Sequence, residues 1–147
     1  MRGIDGSSRV RAKDWKVDVT ISLGGLFLSS FLAATLLPGG SEIVFAAVLV
    51  GGAGLWPALI VATVGNTLGG SSSYLVGRLV PDRALHGRAL EWLRHWGSPA
   101  LLLSWVPIIG DALCVAAGWL RLNLWWSVLF MALGKFGRYY LIARLMA

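Results

Sequence analysis

Leu37-Pro38-Gly39-Gly40-Ser41-Glu42 interrupts an apolar run, and the 35 residues after it, Ile43 to Gly77, carry no charge. A membrane span needs about 20 residues, so this second run is far too long for one crossing. The surplus fits a re-entrant hairpin with its tip at Pro38 to Glu42, returning near Gly51-Gly52-Ala53-Gly54. Leu55 to Gly77 would then cross the membrane completely. Irregular backbone at depth survives only where protein or a water-filled cavity satisfies it, so the tip should line something. The alternative is an ordinary pair of spans joined by a short loop at Pro38 to Glu42.

The same device recurs 69 residues later. Pro38 and Glu42 correspond to Pro107 and Asp111, and Ser29, Leu32, Ala47, Leu55-Trp56 and Gly65 match Ser98, Leu101, Ala116, Leu124-Trp125 and Gly134. A helix breaker, a carboxylate and a Leu-Trp entry to an apolar run are thus shared. Paired, Gly/Pro-interrupted hydrophobic segments in two halves point to a transporter's binding site.

Composition agrees: 56% of residues are hydrophobic and 14% charged, with a mean hydropathy of +0.71, whereas soluble domains average about 25% charged. The net charge of +6 sits at the ends of apolar runs, where snorkelling and orientation signals place it. Membrane-surface charge is the reading, and nucleic acid is not expected. Most of the eight tryptophans also lie at run ends, as an aromatic belt requires. Cys114 is the one cysteine, which excludes an intrachain disulfide and a multi-cysteine metal site.

Residues 1–18 form a polar basic segment in which Gly3 through Ser8 reads as a loose end and Arg11 to Asp18 as a short surface helix. Val19 to Leu37 mimics a signal peptide, but the apolar sequence continues without a polar mature domain. The remainder, 19–147, reads as one membrane domain: repeat one at about 26–77, a linker at 78–97 and repeat two at about 98–147. In the linker, Leu85, Ala89, Trp92, Leu93 and Trp96 share one helical stripe, while Arg83, Arg88, Glu91 and Arg94 face away. Such a basic amphipathic helix belongs in the interface. His86 and His95 flank the stripe as solvated residues rather than ligands. An inverted repeat places this linker opposite both termini, and five cations in the first 18 residues plus Arg144 favour the termini inside.

Ionisable groups at bilayer depth are costly and mark pathways, pairs or bundle interiors. The candidates are Glu42, Asp111, Arg121, Lys135 and Arg138. Leu122 to Gly134 is only 13 residues, so a final span includes Lys135 and Arg138 or runs back through Arg121. Lys135 and Arg138, three apart, share a helix face. A cation pair facing a cavity would hold a phosphate, and an acid at a hairpin tip could carry a proton. The competing reading is a buried ion-pair lock between the halves. Asn66 would hydrogen-bond across helices or touch substrate. Gly65, Gly69, Gly70 and Gly118 are expected at close helix contacts, and Pro38, Gly39, Gly40, Pro107 and Gly110 at the hairpin breaks. There is no Gly-rich phosphate loop, no nucleophile with a base and no metal-ligand spacing. Neither enzymatic activity nor a cofactor or metal is expected.

Three segments resemble the DedA/VTT family: Leu37-Pro38-Gly39-Gly40-Ser41-Glu42, Gly65 to Gly70 with Gly77-Arg78, and Ser104 to Asp111 leading to Ala117-Gly118-Trp119-Leu120-Arg121. More narrowly, the ending Leu133 to Tyr139 resembles the YqaA branch. The resemblance covers about Leu26 to Tyr140. It implies a multi-pass bacterial inner-membrane protein with two opposed re-entrant hairpins, each followed by a transmembrane helix. It also implies translocation of phospholipids or undecaprenyl phosphate, with proton dependence, and matches Glu42 to the family's acid at the first hairpin. The wider family has arginines where this chain has Ser104 and Gly110, so their phosphate-binding role does not carry over; Arg121, Lys135 and Arg138 are the substitutes at hand. The resulting expectation is an all-α lipid translocase with lipids and protons as partners. Homo-oligomer formation is left open, and a proton-coupled small-ion carrier or a non-transporting partner-binding factor are the alternatives.

Overall fold

The computed structural model describes residues 6–35, 40–81 and 87–146, and among these the chain is all-helical. In order come α1 (Gly6–Thr35), α2 (Ser41–Val50), α3 (Leu55–Leu79), α4 (Arg88–Trp96), a 3₁₀ helix (Ser98–Trp105), α5 (Ile109–Trp119) and α6 (Leu124–Met146).

Local chemistry explains the boundaries. Glu42 and Asp111 stand in the first turns of α2 and α5, where a carboxylate meets the positive end of the helix dipole. Pro57 falls in the first turn of α3, which tolerates it, and Pro81 follows the last residues of that helix. Asn123 caps α6, its Oδ1 accepting from the Trp125 N–H at 3.0 Å. At the second break, Ile108 has φ 69° and ψ −56°, and the Ile109 N–H donates to the Pro107 carbonyl at 2.8 Å. That is a tight γ-turn, strained for a β-branched residue. The residue at the same place in the first half is Gly39, which lies with Pro38 outside the described residues.

Boundaries recur with the sequence offset. α3 starts at Leu55 and α6 at Leu124. α2 and α5 end in the same Schellman stop. At α2, the Gly52 N–H donates to the Leu49 carbonyl and the Ala53 N–H to Val48. At α5, the Arg121 N–H donates to Gly118 and the Leu122 N–H to Ala117. The left-handed residues of the two stops are Gly52, φ 90°, and Arg121, φ 53°.

α3 and α6 run antiparallel through the middle of the protein. The first half of α3 (Ala58, Leu59, Ala62) packs with Leu26, Phe45, Val48, Tyr139 and Ala143. Its second half joins, through Tyr74, a cluster of Leu90, Leu93, Leu101, Leu113, Cys114 and Met131. Glycines set the helix spacing. A Cβ on Gly65 would lie 2.7 Å from the Phe27 carbonyl oxygen of α1, and one on Gly69 would lie 2.6 Å from the Ala34 Cβ. A Cβ on Gly77 or Gly118 would overlap the backbone of Val115 or Tyr74 across the α3–α5 crossing.

The structure corrects several expectations. α1 is continuous from Gly6, so Gly6 to Ser8 of the expected loose end and the separate surface helix belong to one 30-residue helix, while Gly3 to Asp5 lie outside the described residues. The first arm of the second half is a 3₁₀ helix of eight residues, unusually long for that form. On α4 the buried face is Leu90 and Leu93, whereas Trp92 and Trp96 are 44% and 67% exposed. Leu85, Arg83 and His86 lie outside the described residues. Among the described residues no helix is long and apolar enough to cross a membrane. α3 and α6, at 25 and 23 residues, reach about 38 and 35 Å. Length is therefore not what α3 lacks: its inward face is Thr63, Gly65, Asn66, Thr67, Gly69 and Gly70. α6 carries Lys135, Arg138 and Arg144.

Candidate functional site

Between the two apolar clusters, where α3 and α6 cross, lies a polar layer. Lys135 is 2% exposed, and its Nζ donates to the Asn66 backbone carbonyl at 2.6 Å. These two residues are the 69-residue counterparts of each other. Gly70 makes room for the ammonium: a Cβ there would lie 2.9 Å from Nζ. Gly70 thus faces the site, not a neighbouring helix backbone as Gly65, Gly69 and Gly118 do. Cys114 and Met131, with sulfurs 3.7 Å apart, form the apolar wall beside it.

A hydrogen-bonded chain continues from the same asparagine. Asn66 Nδ2 donates to the Tyr139 hydroxyl at 2.8 Å, and that hydroxyl donates to Ser41 Oγ at 2.9 Å. The Tyr139 ring packs on Phe45, centroids 5.1 Å apart. Next to these residues Arg138 forms an ion pair with Glu42, the two side chains being 14% and 33% exposed. First turn of α2, middle of α3 and middle of α6 therefore meet at one place.

Asp111 completes the layer from α5. With Ser41, Asn66, Ser104 and Arg138 it lines a polar cavity of about 10 Å³, near the lower bound for one water. Ser104 Oγ is buried with no hydrogen-bond partner among the described residues. No ion pair or hydrogen bond reaches the Asp111 carboxylate among the described residues. A buried hydroxyl without a partner, a half-buried carboxylate and a guanidinium around one void can hold a small polar species, or pass a proton through it.

The structure brings together five of the six sequence-predicted pathway residues: Glu42, Asn66, Asp111, Lys135 and Arg138. Arg121 stands apart, exposed in the turn before α6, about 16 Å along that helix from Lys135. Its positive φ marks it as the left-handed residue of a helix stop, a conformation that costs a non-glycine residue about 1–2 kcal/mol. Arg121→Gly is expected to raise stability in detergent by about 1 kcal/mol, read by chemical denaturation. Of the hairpin residues, Gly40 directly precedes α2, Pro107 is exposed in the break, and a Cβ on buried Gly110 would run into the Ser104 backbone. His95 is exposed, edge-on to Trp96 with centroids 5.5 Å apart.

Ser41, Ser104, Tyr139 and Gly77 entered the sequence reading only within family-like motifs and were given no role in the site. Tyr139 had a legible signal: it follows Lys135 by four, on the charged face of α6, and a buried tyrosine hydroxyl needs a partner. Gly77 follows Gly70 by seven, two turns along one face of α3.

A VTT domain model matches residues 37–147. The inner membrane protein YqaA of Escherichia coli (strain K12) is 45% identical over 127 residues, covering 84% of this chain and 89% of that protein. The YqaA of Shigella flexneri matches equally well. A Haemophilus influenzae protein is 43% identical over 132 residues, covering 80% and 83% of the two chains. No solved structure matches. With the paired helix stops and the charged layer now in place, the match over three quarters of the chain has one meaning: the protein belongs to the VTT-domain (DedA) family of membrane proteins, alongside YqaA.

Proposed function

We propose that this protein is a multi-pass protein of the bacterial inner membrane that translocates phosphate-bearing lipids of the phospholipid or undecaprenyl phosphate class. The observation that carries this reading is the polar layer. Lys135, Arg138, Glu42 and Asp111 cluster at mid-length of the two central helices, between apolar clusters on either side. Exposed apolar side chains along the helices support a lipid-facing exterior: Ile43, Val50, Leu79, Trp125 and Leu145 are each 75% exposed or more. The recurrence of helix starts and stops at one offset supports an inverted repeat of two re-entrant hairpins, each followed by a membrane-crossing helix. In this arrangement both termini are cytoplasmic and α4 lies in the opposite interface. Lys135 and Arg138 receive the phosphate, Arg138 being released from Glu42 as that acid takes a proton. No bond of the lipid is broken.

The test is movement of a fluorescent phospholipid across liposomes holding the purified protein, with Lys135→Met alongside. Replacing a buried charge by an apolar side chain of similar length leaves stability near that of the parent, or raises it. Loss of translocation in this well-folded variant is therefore the expected result. Equal rates for parent and variant would remove Lys135 from any lipid path.

A second reading, a proton-coupled small-ion carrier, is favoured by the size of the cavity, which at about 10 Å³ suits a water-sized species and not a headgroup. A pH-sensitive dye inside the same liposomes separates the two. Ion-driven pH change with no labelled lipid moved would favour the carrier.

A further inference from the structure

α4 uses only one of its faces for the core. Leu90 and Leu93 are buried, while Trp92 and Trp96 turn to the other side. Together with Pro99, Ala100, Leu102 and Leu103 they line a groove of about 520 Å³ between α4 and the 3₁₀ helix. No polar side chain lines it, and its volume falls in the range of small-molecule sites, roughly 300–1,000 Å³. Of the residues expected to face away from the tryptophans, Arg88 lies one turn before Trp92 and only about 40° from it around α4, so it puts a cation at one end of the groove.

The end of the molecule that carries this groove is strongly basic. α3 ends there with Arg78, the turn after α5 carries Arg121, and α4 adds Arg88 and Arg94; all four arginines are exposed, against one exposed acid at this end, Glu91, among the described residues. Arg94 is held in place, its guanidinium 5.9 Å from the centre of the Trp119 ring, a cation–π arrangement. Arg94 thus serves the far side of α4, against α5, and the cation nearest the apolar slot is Arg88, one turn before Trp92. An apolar slot with a cation at its end has two complementary demands, a hydrocarbon chain and a negative head.

We propose that this groove is a binding site for one acyl chain of an anionic phospholipid from the surrounding leaflet, with Arg88 holding the headgroup phosphate. The site is separate from the polar layer and is a fixed lipid seat, not part of the translocation path. It rests on the membrane reading above, but not on transport.

Tryptophan quenching tests it on the full-length protein in phosphatidylcholine liposomes. Small amounts of either phosphatidylglycerol or phosphatidylcholine with brominated acyl chains are added, and the Trp92/Trp96 contribution is taken as the difference from Trp92→Phe/Trp96→Phe. Brominated phosphatidylglycerol is expected to quench that contribution at about fivefold lower mole fraction, the factor one arginine near an anionic surface supplies. Arg88→Gln is expected to abolish the preference while the thermal unfolding profile stays that of the parent, and Arg94→Gln, on the far side of α4, is expected to keep it. Equal quenching by both lipids would reduce the groove to ordinary annular contact and overturn the proposal. So would a preference that survives Arg88→Gln, or a groove shielded from both lipids in a cross-linked dimer. If neither lipid quenched any tryptophan, the membrane reading would fall with it, whereas a normal result here beside absent translocation would leave this site standing alone.

Discussion

Gly118→Ala is expected to destabilise the protein by about 3 kcal/mol or to prevent folding, because overpacking of this kind costs 1–3 kcal/mol even when side chains can yield. Here nothing can. The added methyl would occupy the space of the Tyr74 carbonyl, and the facing residue on α3, Gly77, meets the Val115 backbone in the same way. Gly77→Ala should therefore behave alike, and the double variant should lose less than the sum, since both act at one crossing. Denaturation in detergent gives the comparison. Gly137→Ala is the control: no atom lies within 4 Å of a Cβ there, and alanine gains about 0.8–1 kcal/mol over glycine in a helix interior. A Gly118→Ala protein as stable as the parent would mean that α3 and α5 do not approach this closely.

The second large effect concerns the Glu42–Arg138 pair. Removing one partner of a buried ion pair costs about 3–5 kcal/mol, and partial exposure of both side chains lowers that to about 2 kcal/mol here. Glu42→Gln and Arg138→Gln should each destabilise by that amount, and the double variant by clearly less than their sum. A coupling energy near zero would show that the two charges are solvated independently. Glu42→Gln has a further consequence for transport. If release of Arg138 accompanies protonation of Glu42, the neutral variant loses the pH dependence of lipid movement, whereas a purely structural pair would change stability alone.

The breaks were legible because backbone chemistry wrote them into the sequence. Gly51-Gly52-Ala53-Gly54 and Leu55 mark the α2–α3 turn where the residues said they would, and the Leu-Trp pairs open α3 and α6. The shared face of Lys135 and Arg138 was legible from their spacing, and Glu42 did meet a cation of the last helix. The length of α1 was not, since a charged segment running into an apolar one looks like two elements when periodicity is weak. Nor was the 3₁₀ helix, because its residues are apolar nearly throughout and give no period. The face of α4 was legible in part: the stripe was expected in the interface, where outward tryptophans are well placed, but the inward face pairs Leu93 with Leu90, which lay outside that stripe. Arg121 shows the converse error. Its charge drew attention, while its backbone, the counterpart of Gly52, explains its place.

The glycine seams also decide which parts of the molecule can part company. Gly65 and Gly69 set α3 against α1 with carbonyl and methyl in contact, and Gly77 with Gly118 does the same between α3 and α5. Where main chain touches main chain there is no rotamer to change, so α1, α3 and α5 behave as a chassis. α2 has no such seam. It is attached by Phe45 and Val48 in a cluster of side chains, by the Ser41 hydroxyl and by Glu42, and it is tethered to α3 through a turn holding Gly51, Gly52 and Gly54. Side-chain contacts can be traded one for another, and a glycine turn bends cheaply. If the protein moves a lipid or ion, the wider passage this needs would come from α2 swinging on that turn, like a door whose frame is welded and whose bolt is an ion pair.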